Sequence, residues 1–122
     1  MITKTLLDAK EALEELNLKK ILKAYDDPFI FEDIPNGFRL SDREHLSQYF
    51  SSLFSMPGVA FSDIRIFDGG QFAALEWTWS GINQGSGKGF SIRGASVIEI
   101  RNQKIARESI YYDPRETESS TA

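Results

Sequence analysis

The hydrophobic period of this chain changes once, at Pro57. Upstream, most apolar residues recur every three or four positions, the spacing of one helix face. Downstream they alternate with polar ones, the spacing of strands that bury one face. A helix stripe and a strand face each need an apolar partner, and here each supplies the other's. The downstream half holds four strand-like runs joined by short turns, which makes consecutive runs antiparallel neighbours. Helices first and a meander after predict an α+β domain. In it a curved antiparallel sheet wraps N-terminal helices around an apolar pocket.

Local signals refine the order. Leu6, Ala9, Leu13 and Leu16 share a face of a first helix starting near Thr3. Asn17 is placed to cap a second helix through Leu18, Ile21, Leu22 and Tyr25. Pro28 ends that helix by disfavouring a helical Asp27. Phe29–Ile34 reads as a short strand and Pro35-Asn36-Gly37 as a turn. Ser41 and Glu44 have the spacing of a capping box. The helix behind them carries Leu46, Tyr49, Phe50, Leu53 and Phe54 on one face, up to Met56-Pro57-Gly58. Strands are predicted over Phe61–Phe67, Phe72–Gly81, Phe90–Ile100 and Lys104–Tyr112. Pro114 ends the last one.

Composition narrows the function classes. A chain of 122 residues makes one domain. It is placed at 1–114, with 115–122 read as a disordered tail because it holds almost no apolar residue. There is no cysteine, hence no disulfide, thiolate ligand or cysteine nucleophile. A net charge of −4 points away from a nucleic-acid partner. No apolar run approaches the ~20 residues of a membrane helix, so no membrane partner is expected. Met1–Asp8 shows no apolar leader, and a cytoplasmic location is expected. His45, the single histidine, makes no zinc site, and no metal or cofactor is expected. Gly85-Ser86-Gly87-Lys88-Gly89 lacks the glycine spacing, the hydroxyl residue and the following helix of a phosphate loop, so it reads as a hairpin connection.

Several strings, in this order, carry a resemblance: Phe31-Glu32-Asp33, Glu76-Trp77-Thr78-Trp79-Ser80-Gly81, Ile92-Arg93-Gly94-Ala95-Ser96-Val97, Gln103-Lys104-Ile105-Ala106-Arg107 and Tyr111-Tyr112-Asp113. Together they resemble the SnoaL-like polyketide cyclase and ketosteroid isomerase superfamily, which shares a cone-shaped sheet with nuclear transport factor 2. The resemblance implies that Asp33, following Glu32 at a strand end, matches the isomerases' aspartate base. It also implies substitutions. Ala9 stands where those enzymes carry an oxyanion-hole tyrosine, and Ser96 near their protonated aspartate. Ile110 stands where the cyclases carry a catalytic aspartate.

Two carboxylates are therefore the catalytic candidates, Asp33 and Glu108. Burial among aromatic rings would raise the basicity of such a group. Period two places Ala106, Glu108, Ile110 and Tyr112 on one face of the last strand. The candidate ligand-binding set is Tyr25, Phe29, Phe31, Phe50, Phe54, Trp77, Trp79, Ser96, Ile98, Ile110 and Tyr112. The expected ligand is a small apolar or aromatic molecule. Two readings stay open: an isomerase- or cyclase-type enzyme using Asp33 as base to abstract a proton next to a carbonyl, and a non-catalytic binding or dimeric module. On the opposite sheet face, Phe72, Ala74, Ala95, Val97 and Tyr111 predict a homodimer interface.

Overall fold

The computed structural model describes residues 3–117. Helix α1 (Lys4–Glu15) buries Leu6, Ala9, Ala12 and Leu13, and ends at Leu16 in the left-handed conformation. The Leu16 and Asn17 amides bond back to Leu13 and Ala12, satisfying carbonyls the helix end leaves open. Asn17 then caps α2 (Leu18–Lys23) by accepting from the Lys20 amide at 3.0 Å. This helix is shorter than its periodicity predicts. Tyr25 belongs to β1 (Tyr25–Asp33), because it pairs with Ile105 of the last strand. Sheet pairing overrides the local helical preference before Pro28 can act.

A three-residue strand β2 (Phe38–Leu40), not foreseen from the sequence, folds back on β1 through a turn closed by the Gly37 amide on the Asp33 carbonyl. Gly37 sits at φ 70°, which explains a glycine there. Helix α3 (Arg43–Phe54) is capped by Asp42 rather than Ser41. The Asp42 carboxylate accepts from the Glu44 and His45 amides at 2.7 and 3.2 Å. The chain enters the helix one residue later than the capping-box spacing implies, and a carboxylate adds charge complementarity at the positive helix start.

Strands β3 (Ala60–Gly69), β4 (Phe72–Ile82), β5 (Gly89–Arg101) and β6 (Lys104–Tyr111) follow as an antiparallel meander. The six strands form one open sheet in the order β2-β1-β6-β5-β4-β3. One neighbour pair, β1 with β6, is parallel. Irregular pairing within β3–β4, β5–β6 and β1–β6 bends the sheet. The shift in β5–β6 corrects one expectation. Glu99 faces Arg107 but Ile100 faces Ile105, which leaves Ala106 as an extra residue. Ile105, not Ala106, therefore shares the concave face with Glu108 and Ile110.

The helices lie against that concave face. Thr3 holds the start of α1 to the β3–β4 turn through hydrogen bonds to Asp68, 2.5 Å from its amide and 2.9 Å from its hydroxyl. The core joins Leu6, Leu13, Ile21, Leu46 and Phe50 to Phe31, Leu75, Ile98 and Ile105. The outer face carries charged pairs such as Arg93–Glu76 at 3.3 Å and Arg107–Glu32 at 2.9 Å. Between them Phe67, Phe72, Val97 and Tyr111 remain exposed. After β6, Pro114–Thr117 forms a short 3-10 turn, where the sequence predicts the tail; 118–122 lie outside the described residues. Among the described residues no helix is long and apolar enough to cross a membrane.

Candidate functional site

The strand period brings Trp77, Ser96, Glu108 and Ile110 to the concave face. Leu75 stands opposite Ser96, Trp77 opposite Gly94, Ser96 opposite Ile110, and Ile98 opposite Glu108. Gly94 makes room for the indole: a Cβ there would lie 2.4 Å from the Trp77 ring and 2.9 Å from the Tyr111 carbonyl oxygen. Helix α3 closes the space from above with Tyr49, Phe50 and Leu53, and α1 and α2 with Ala9, Leu13 and Ile21. What remains is a cavity of about 60 Å³, several times the roughly 10–15 Å³ that one water needs.

Its walls are apolar around one inner hydrogen-bonded group, and Tyr49, Trp79 and Tyr112 add polar atoms toward the outside. The Tyr25 hydroxyl donates to Glu108 Oε1 in a short bond. Ser96 also hydrogen-bonds the Glu108 carboxyl, and its Oγ accepts from Trp77 Nε1 at 3.0 Å. Glu108 is 7 % exposed. Burial raises its pKa above the ordinary carboxylate range, while the Tyr25 and Ser96 hydrogen bonds oppose the rise. Tyr25 is pushed far up, first by burial and then by the Glu108 charge. Among the described residues, no lysine, arginine or histidine lines the cavity. A carboxyl in such a place can exchange a proton with a bound molecule, because no cation holds it ionised.

A wider, solvent-open hollow of about 470 Å³ adjoins the cavity, and Tyr49, Leu53, Trp79 and Tyr112 line both. Asp33 sits in this mouth, 1 % exposed. Its carboxylate accepts from the Asn36 amide at 3.2 Å, from Asn36 Nδ2 at 3.1 Å and from the Tyr112 hydroxyl at 3.0 Å. The first two bonds build the turn into β2, and the third fixes Tyr112. Burial raises the Tyr112 pKa, and the Asp33 charge raises it further. The adjacent Glu32 points outward to Arg39, Arg107 and Ser109, as strand alternation requires.

Of the residues predicted from the sequence, Glu108, Tyr25, Phe31, Phe50, Trp77, Trp79, Ser96, Ile110 and Tyr112 line the cavity. Asp33 lines the mouth only. Phe29, Phe54 and Ile98 do not line the cavity. Phe29 packs on Tyr25 beneath the Arg43 guanidinium, and Phe54 bridges Phe50 and Phe61. Ile98 lies further along β5, opposite Ala73, buried within the core cluster. The lining residues outside the predicted set are Ala9, Leu13, Ile21, Tyr49, Leu53, Phe61, Leu75 and Ile105. Tyr49 and Leu53 fall in the apolar stripe of α3, and Ile105 is brought in by the Ala106 irregularity, which no sequence signal marks.

The fold recurs in solved structures. An NTF2-like protein from Burkholderia thailandensis superposes with TM-score 0.86 at 17% identity, covering 100% of this chain and 99% of its own. A protein of ketosteroid isomerase-like fold from Catenulispora acidiphila, bound to trimethylamine, gives 0.82 at 16%, with 96% and 91% covered. A candidate polyketide cyclase from Pseudomonas putida gives 0.79 at 19%, with 93% and 92% covered. At these identities the likeness is one of fold. Comparison with curated proteins returns no match. The profile of the SnoaL-like domain matches residues 7–108, spanning α1 through Glu108 itself, and the chain belongs to that family.

Proposed function

We propose that this protein binds a small apolar or aromatic carbonyl compound across the cavity and the wider mouth that adjoins it, and that Glu108 moves a proton at the carbon next to the carbonyl. The observation that carries this reading is a buried carboxyl without a cationic partner, facing an otherwise apolar space beside two hydroxyl donors. Burial makes the carboxylate a stronger base than it is in water, and exclusion of water protects the carbanion-like product. Ala9, Ser96 and Ile110, the three positions singled out by the family resemblance, all line the cavity. Glu108 is two residues from Ile110, so its carboxyl stands on the same face about 7 Å along the strand. Asp33 lies too far into the mouth and is too fully bonded into the β1–β2 turn to be the first choice of base. We place it as the group that orients Tyr112.

Deuterium uptake tests the reading. In D2O, the methyl protons of acetophenone are expected to exchange about 100-fold faster with the wild type than with Glu108→Gln. Equal rates with both proteins would leave the second reading, binding without turnover, which the apolar Ala9 and Ile110 favour. We also propose a homodimer through the outer sheet face, on the strength of its exposed Phe72, Val97 and Tyr111.

A further inference from the structure

The hydroxyl and N–H groups that line the cavity differ in whether the protein already uses them. Tyr25 and Ser96 donate to Glu108, Trp77 donates to Ser96, and Tyr112 donates to Asp33. One lining donor has no acceptor. Trp79 Nε1 is the one buried side-chain polar atom among the described residues without a partner. The Tyr49 hydroxyl lines the same junction and feels the charges of both Asp33 and Glu108. Both residues line the cavity and the mouth alike, so the free Trp79 N–H and the Tyr49 hydroxyl stand where the inner space meets the outer one.

From this we infer that Trp79 N–H and Tyr49 O–H receive the acceptor oxygen of the bound molecule and select carbonyl compounds over hydrocarbons of the same shape. The inference rests on the proposed pocket reading and deepens it. A buried N–H without an acceptor carries a desolvation cost that an incoming oxygen removes. A hydrocarbon leaves that cost in place. With Glu108 further in and the two donors at the junction, the oxygen lies toward the mouth and the apolar body toward Ile105 and Ile110. The arrangement differs from the first-helix tyrosine that the resemblance expects. Here Ala9 occupies that place, and the donors come from α3 and β4.

The experiment uses acetophenone and ethylbenzene, which differ mainly by the carbonyl, titrated into the 15N-labelled full chain. Indole N–H resonances report each tryptophan separately, and Trp79→Phe assigns them. The expected result is a downfield shift of the Trp79 resonance with acetophenone and little shift with ethylbenzene. The Trp77 resonance, already bonded to Ser96, serves as the internal reference. Tyr49→Phe keeps the ring and removes the hydroxyl, and Trp79→Phe removes the N–H while leaving a smaller aromatic ring, so ethylbenzene binding controls for the change of shape. Each is expected to weaken acetophenone about tenfold and to leave ethylbenzene within about twofold. If both compounds bind equally to wild type and variants, the donor assignment falls while the pocket reading stands. If neither compound binds, both fall.

Discussion

Glu108 is the base of the proposed reaction, and burial gives it a pH signature. The folded chain holds the Glu108 proton more tightly than the unfolded chain does, since burial raises its pKa. The folded state therefore gains stability at low pH. That gain is lost as pH rises from the unfolded value of about 4.3 through the folded one. Glu108→Gln never ionises and keeps the shape. It is expected to raise Tm by a few degrees at pH 8, with the difference closing toward pH 4, as thermal unfolding followed by circular dichroism would show. Asp33 predicts differently. Its three bonds hold Asn36 and Tyr112, so Asp33→Ala is expected to cost about 1–3 kcal/mol in urea unfolding, with binding weakened through a loosened mouth. Both carboxylates were legible in the sequence as inward-facing strand residues. Their proposed division of labour, with Glu108 rather than Asp33 as base, was not, because it depends on which lone pairs the turn at Asn36 occupies.

Among the elements, the strands were the most legible part of the chain, since alternation over β4 and β5 sets which side chains face inward. The pairing of Trp77 with Gly94 is the tightest consequence. Gly94→Ala would drive a methyl into the Trp77 ring. It is expected to destabilise by about 1–3 kcal/mol and to shift the Trp77 fluorescence, with urea unfolding as the check. Helix starts were less legible. Ser41 and Asp42 both have the chemistry of a cap, and only the observed bonds to the Glu44 and His45 amides decide between them. Asp42→Ala is accordingly expected to cost about 1 kcal/mol and Ser41→Ala far less, measured in the same denaturant series. The end of α2, strand β2 and the extra residue at Ala106 all follow from pairing between distant segments. Local sequence carries no trace of such contacts until the partner strand is known.

At the scale of the whole molecule, one sheet presents two faces with different uses. The concave face is occupied by helices and the cavity. The convex face keeps Phe72, Val97 and Tyr111 at 59%, 53% and 47% exposure, bordered by the Arg93–Glu76 and Arg107–Glu32 pairs. A homodimer through this face should sediment at twice the mass of one chain. Val97→Asp should split it, and Lys88→Asp in the β4–β5 hairpin should not. A single species at the mass of one chain for the unmodified protein would remove the dimer. The cavity side rests on a single physical claim, that the fold keeps a carboxyl buried, unpaired with any cation and therefore reluctant to ionise. Carbon-detected NMR titration of the Glu108 side chain, assigned by Glu108→Gln, measures this directly. A midpoint clearly above the ordinary glutamate value of about 4.3 is predicted, and a midpoint at or below that value would contradict it.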